Sequence, residues 1–220
     1  MSQRRERGPM IRTALMIPAI ILGTLAPYAI QAVANPLPVH AQPCADLIIG
    51  VDGTGSVQDP HSLVKHRAGP GAWIIDYPGE IFPLGERTYN ESVRIGVAET
   101  KRVIREFRAI NPCGTVHGIA HSQGSRVLGD AIEELFAEGM DTSFITAELL
   151  ADPRQDNTGV EVVLSWLRIP GYTMNGPRTS FGGAHVTQVC VPSDPVCDFP
   201  RSVYGIAGIV PNFVKLHSRY

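Results

Sequence analysis

The pentapeptide Ala120-His121-Ser122-Gln123-Gly124 lies between a β-rich run, Gly114 to Ala120, and a segment whose apolar residues recur at helical spacing. A serine at a strand-to-helix junction sits on a strained turn that lifts its Oγ above the carboxyl edge of a sheet, and small residues two positions away let strand and helix approach. Ala120 and Gly124 meet that demand, although glycine is commoner at the first position. The helix starting near Gln123 would turn free N–H groups and its positive dipole end toward the same point, where an anionic tetrahedral intermediate needs donors. The chemistry within reach is attack of a hydroxyl on an acyl carbonyl. The string alone also fits a plain turn, so its partners must decide.

A serine hydroxyl is a weak nucleophile until an imidazole takes its proton and a carboxylate orients that imidazole. For a nucleophile on such a turn, the partners follow in the chain order acid, then histidine. Two histidines follow the serine, His185 and His217. His185 falls inside a predicted strand, where a structural role is expected, whereas His217 lies downstream of every acid and is the candidate base. Asp194, in the short loop between Cys190 and Cys197, is the favoured acid, with Asp198 and Asp152 as alternatives. The N–H after the nucleophile, that of Gln123, is one expected oxyanion donor. Thr54, in Asp52-Gly53-Thr54-Gly55, is placed to supply the second, although those residues also read as an ordinary glycine-rich turn. No Gly-Lys-Ser/Thr follows to make that loop a phosphate cradle. His61, His117 and His121 are read as environment rather than machinery.

The elements that must hold these residues alternate. Ala45–Val51, Ala72–Tyr77, Gly114–Ala120, Phe144–Leu150 and Ala184–Val191 are the predicted strands. The segment from Asn90 to Ile110 carries Val93, Val97, Thr100, Ile104 and Phe107 at steps of three and four and is stopped by Asn111-Pro112; Ser125–Ala137 is a second amphipathic helix. The tail from Tyr204 to Leu216 has helical tendencies, and residues 157–180 form an insertion that either faces substrate or packs as ordinary helix and turn. Strands alternating with helices imply an α/β fold, a central mostly parallel sheet with helices on both faces.

The chain has 220 residues, 44% hydrophobic and 18% charged, enough for one core of this kind. Residues 1–34 read as a signal peptide: Arg4, Arg5, Arg7 and Arg12 precede an apolar run from Ile11 to Ile30, and Ala32-Val33-Ala34 offers a cleavage pattern. An uncleaved membrane anchor is the rival reading. Residues 35–220 then form one domain with 15 basic and 20 acidic side chains, a formal charge of −5. Without a basic patch, no nucleic-acid partner is expected. Cys44, Cys113, Cys190 and Cys197 imply two disulfides in an exported chain, with three connectivities open. Cys190 and Cys197 are near enough to staple one loop, leaving Cys44 and Cys113 to close a long one. No C-x-x-C spacing suggests a metal, and none is expected.

Taken together, Cys44-Ala45-Asp46-Leu47, Gly53-Thr54-Gly55, His121-Ser122-Gln123-Gly124 and the Cys190–Cys197 loop with Asp194-Pro195-Val196 resemble the cutinase-like serine esterases. The chain is still more similar to the related PE-PPE domain, through Tyr77-Pro78-Gly79, Leu149-Leu150-Ala151-Asp152-Pro153, Asp198-Phe199-Pro200 and His217-Ser218-Arg219-Tyr220. The resemblance runs from about Cys44 to Tyr220. It implies an α/β-hydrolase fold, hydrolysis of small-molecule or lipid esters without a cofactor, and the disulfides Cys44–Cys113 and Cys190–Cys197. It further implies Ser122 as nucleophile, Asp194 as acid, His217 as base, and Thr54 with Gln123 as oxyanion hole. Such a protein is expected to be a secreted or cell-envelope monomer that touches membrane or envelope only transiently. Acyl transfer by the same triad, or envelope binding without catalysis, are the alternative functions.

Overall fold

The computed structural model describes residues 44–202 and 209–220, so the expected leader, residues 1–34, lies outside the described residues. The strands are β1 (Leu47–Val51), β2 (Trp73–Ile74), β3 (Val116–His121), β4 (Ile145–Leu150), β5 (Arg168–Ile169), β6 (Tyr172–Thr173) and β7 (His185–Val189). The helices are α1 (Leu63–Ala68), α2 (Tyr89–Ile110), α3 (Gln123–Ala137), α4 (Val160–Val163) and α5 (Ile209–His217). Five strands form one sheet in the order β2-β1-β3-β4-β7, every pair parallel, while β5 and β6 make a separate antiparallel hairpin.

Parallel strands need long crossovers, and those crossovers cover the two faces unequally. Successive residues of a strand point to opposite faces. Ile49 and Val51 of β1, Val116 and Ala120 of β3, and Ile145, Ala147 and Leu149 of β4 are buried with Val93, Val97 and Ile104 of α2 and Val127, Leu128, Ile132 and Leu135 of α3. That is the main core. On the other face the short α1 packs Val64 and Ala68 against Ile119.

The helices start where local chemistry lets them. Thr88 caps α2: its Oγ accepts from the Glu91 N–H, and the Glu91 carboxylate accepts from the Thr88 N–H. A reciprocal cap of this kind satisfies two donors that the first turn leaves unpaired. It sets the start of α2 at Tyr89, one residue ahead of the expected start. The strand expected over 72–77 pairs only at Trp73 and Ile74. Beyond Ile75 the chain leaves the sheet, and the buried Tyr77 ring carries its hydroxyl to the Asp52 carbonyl. Residues 157–180 resolve into α4 and the β5–β6 hairpin. Of the tail, residues 203–208 lie outside the described residues.

Strand order decides where a site can form. The chain runs from β1 outward to β2, then crosses back to β3 on the other side of β1. Loops leaving the carboxyl ends of β1 and β3 therefore diverge and open a crevice, the place where open parallel sheets bind ligands. Asp52–Ser56 and Ser122 lie on those two loops.

Candidate active site

Ser122 joins β3 to α3 with φ 57° and ψ −123°, a conformation that non-glycine residues rarely adopt. The turn is held from below. The Ser122 N–H donates to the Leu150 carbonyl (2.9 Å), Ser125 Oγ donates to the same oxygen (2.6 Å), and the Arg126 N–H donates to the Ser122 carbonyl (3.2 Å). Gly124 lies against β1 so closely that a Cβ would collide with the Val51 and Asp52 carbonyls. On the other side Gly53 abuts the turn, and a Cβ there would come within 3.1 Å of Ser122 Cβ. Gly124 is thus a steric requirement of bringing the β1 loop and α3 together, and Gly53 leaves little room for anything larger beside the turn.

His217, in the last turn of α5, places Nε2 2.8 Å from Ser122 Oγ. Its Nδ1 lies 2.9 Å from Asp194 Oδ2 and 3.1 Å from Oδ1. A carboxylate can only accept, so Nδ1 carries the proton and Nε2 presents a lone pair to the serine hydroxyl. Asp194 is fully buried between Ser193 and Val196, inside the loop closed by the Cys190–Cys197 disulfide. Burial opposes its charge, but hydrogen bonds from His217, the Tyr220 hydroxyl and the Val196 N–H outweigh that and hold its pKa below the usual carboxylate value. The second disulfide joins Cys44 to Cys113 beneath the sheet's amino end.

His121 flanks the serine and faces the tail. Its Nε2 lies 3.0 Å from the His217 carbonyl, and its ring packs 4.6 Å from the His217 ring and 5.4 Å from that of Tyr220. A carbonyl only accepts, so this imidazole is the Nε2–H tautomer. Burial, then the neighbouring His217, lowers its pKa to about 4.

Gln123 is nearly inaccessible, and its side chain is spent on structure: Nε2 donates to the Glu80 carbonyl and Oε1 accepts from Ser92 Oγ. Its backbone N–H opens α3. Thr54 lies exposed in the turn after β1. That turn is pinned by Gly55 N–H to the Gly79 carbonyl and by Lys65, whose ammonium donates to the Val57 and Asp59 carbonyls. Neither the Thr54 nor the Gln123 N–H has a backbone acceptor among the described residues.

The other acids lie elsewhere. Asp198 accepts from the Ser193 N–H, bracing the loop from outside. Asp152 is buried against Arg178, Gln188 and the Arg154 N–H. His185 opens β7 on an exposed face. No group of three or more His, Cys, Asp or Glu side chains that could hold a metal occurs among the described residues. His117 and His121 are four apart, but on a strand that spacing separates them by about 13 Å. Sequence reasoning gave no role to Tyr220 or Gly53; the first touches the site through Asp194 and the His121 ring, and no spacing rule links it to either.

Residues 69–207 match the PE-PPE domain. This chain belongs to that family. Among solved structures, a cutinase-like protein from Cryptococcus sp. is 16% identical and superposes with a TM-score of 0.50 over 78% of this chain and 89% of its own, which shows the shared fold. The catalytic core domain of acetyl xylan esterase from Trichoderma reesei is 18% identical, with a TM-score of 0.48 over 79% of this chain and 96% of that one. A carboxylesterase Culp6 homolog of Corynebacterium glutamicum is 26% identical over 161 residues, covering 60% of this chain. This chain spans about half of that relative's length, 51%. The PE-PPE domain described here has the cutinase-like α/β-hydrolase fold, and the strained turn at Ser122 lies at the crevice where the sheet's strand order reverses.

Proposed function

We propose that this PE-PPE domain is a serine ester hydrolase working through an acyl-enzyme intermediate. The observation that carries the reading is His217 Nε2 at 2.8 Å from a serine hydroxyl raised on a strained turn, with Asp194 fixing the imidazole's other nitrogen. Ser122 Oγ attacks the ester carbonyl while His217 takes its proton. The Gln123 and Thr54 N–H groups receive the oxyanion. His217 then returns the proton to the leaving alcohol, and water, deprotonated by the same imidazole, releases the acid and restores the serine.

The surroundings favour an ester with an apolar portion. Phe213 packs 4.9 Å from His217 and remains partly exposed beside the exposed Val214. Phe82 and Leu84 are exposed on the loop whose Glu80 carbonyl receives the Gln123 side chain. Two disulfides fit an oxidising compartment, so the enzyme is assigned outside the cytoplasm, in the envelope or beyond.

Ser122→Ala tests the reading. Turnover of a short p-nitrophenyl ester is expected to fall by at least about 10⁴-fold with the melting temperature nearly unchanged. Retention of turnover in that variant would sink the assignment.

A further inference from the structure

We propose that Tyr220 is a positioning residue for the Ser122–His217–Asp194 constellation, its hydroxyl holding the Asp194 carboxylate aligned and ionised. The inference rests on the esterase reading for its kinetic consequences, though not for its geometry.

The hydroxyl of Tyr220 lies 2.6 Å from Asp194 Oδ2 and 3.0 Å from the Val191 nitrogen, with Cys197 Sγ 3.2 Å away. The direction of its single proton follows from the partners. The Val191 N–H can only donate, so the phenol accepts there. The carboxylate can only accept, and the disulfide sulfur has no proton to give. The Tyr220 proton therefore points at Oδ2, the same oxygen that receives His217 Nδ1–H at 2.9 Å.

Asp194 needs this donor more than an exposed carboxylate would. It is fully buried, and no Lys or Arg pairs with it among the described residues; its partners are His217, Tyr220 and the Val196 N–H. A buried carboxylate without a cation stays ionised only through donors. With Val196 holding Oδ1 and Tyr220 holding Oδ2, the carboxylate plane cannot rotate away from the imidazole. The titratable groups packed around the hydroxyl are Asp194, His217 and, against the ring, His121. The Tyr220 ring also backs His121, whose Nε2–H holds the His217 carbonyl.

Removing the hydroxyl frees Oδ2 to rotate and leaves Asp194 more basic, so the variant aligns the imidazole less well on Ser122 and keeps it protonated to higher pH. Tyr220→Phe is therefore expected to lower kcat by about 10- to 100-fold, the scale of one hydrogen bond to a charged group. KM should stay within about twofold, because Asp194 touches no substrate. The acidic limb of kcat/KM should move to higher pH. A merely structural tyrosine would lower activity equally at every pH. The downfield proton of His217 Nδ1–H, read by NMR, should move further downfield in Tyr220→Phe, a readout independent of turnover. Should Tyr220→Phe not fold, 3-fluorotyrosine at this position, a stronger donor, should move both the limb and the proton in the opposite direction. An unmoved proton signal overturns the proposal. Absence of Ser122-dependent turnover in the parent chain would sink the esterase reading alone, and the proton spectrum would still decide the role of Tyr220.

Discussion

At the scale of single residues, the pair of histidines about the serine divides two demands that one imidazole could not meet. In the proposed mechanism His217 gains and loses a proton, while His121, tilted against it at 4.6 Å, must not become a second positive charge beside it. Burial secures that, lowering the His121 pKa to about 4. The stability consequence has a definite sign. The unfolded chain protonates this imidazole near pH 6.5 and the folded chain only near 4, so the contribution is complete above the first value and lost as pH falls through the second. The scale is at most about 3.4 kcal/mol. His121→Gln keeps an N–H donor for the His217 carbonyl but cannot titrate. Its unfolding free energy in urea should fall less between pH 7 and pH 4 than that of the parent; an identical acid profile would show that His121 does not set this sensitivity.

At the scale of elements, the two disulfides do different work. Cys44–Cys113 spans 69 residues and Cys190–Cys197 spans 7. By chain entropy the long closure stabilises by about 4 kcal/mol and the short one by about 2.5 kcal/mol. Only the short one encloses Asp194. Replacing Cys44 and Cys113 by Ser should lower the melting temperature markedly while leaving kcat of the folded fraction within about twofold. Replacing Cys190 and Cys197 should cost less stability but about tenfold or more in kcat, a loss of roughly 1.4 kcal/mol of alignment. Equal effects on kcat from both pairs would contradict this division.

The same scale shows how far the sequence carried the structure. Elements with a clear period were legible: the apolar run of β1, the stripe of α2 from Val93 to Ile104, and α3 behind Ser122. The constellation was legible too, because chain order left His217 as the downstream histidine and placed Asp194 in a short cysteine-bounded loop; the fold brings both to Ser122. What escaped had no period to reveal it. Helix α1 is six residues long, and the strand expected over 72–77 was legible only in place, its pairing being limited to two positions. The hairpin Arg168–Thr173 is defined by contacts with distant residues, such as the Tyr172 hydroxyl on the Phe82 carbonyl and Asn90 on Thr173. The capping box at Thr88 and Glu91 was a local signal and would have fixed the start of α2.

At the scale of the whole molecule, the insertion after β4 is tied to the body by buried charge rather than by apolar packing. Arg178 pairs with Asp152, beyond β4, and with Asp130 of α3. Arg154 reaches Asp130 and Glu133, and Arg126 reaches Asp130 and Glu161. Gly129 in mid-helix has its explanation here, since a Cβ would strike the Arg178 guanidinium. Such a network adds little compared with an apolar core, yet breaking one member strands a buried charge at a cost of about 3–5 kcal/mol. Arg178→Met leaves Asp152, fully buried, with Gln188 and the Arg154 N–H as its remaining donors. The variant should lose stability by about 3–5 kcal/mol in urea unfolding, largely independent of salt because the pair is shielded from solvent. Converting Asp152 to Leu in the same chain should recover part of that loss, since the stranded charge is then gone. If Arg178→Met alone costs under about 1 kcal/mol, the range of an exposed pair, the insertion is held by something other than this network.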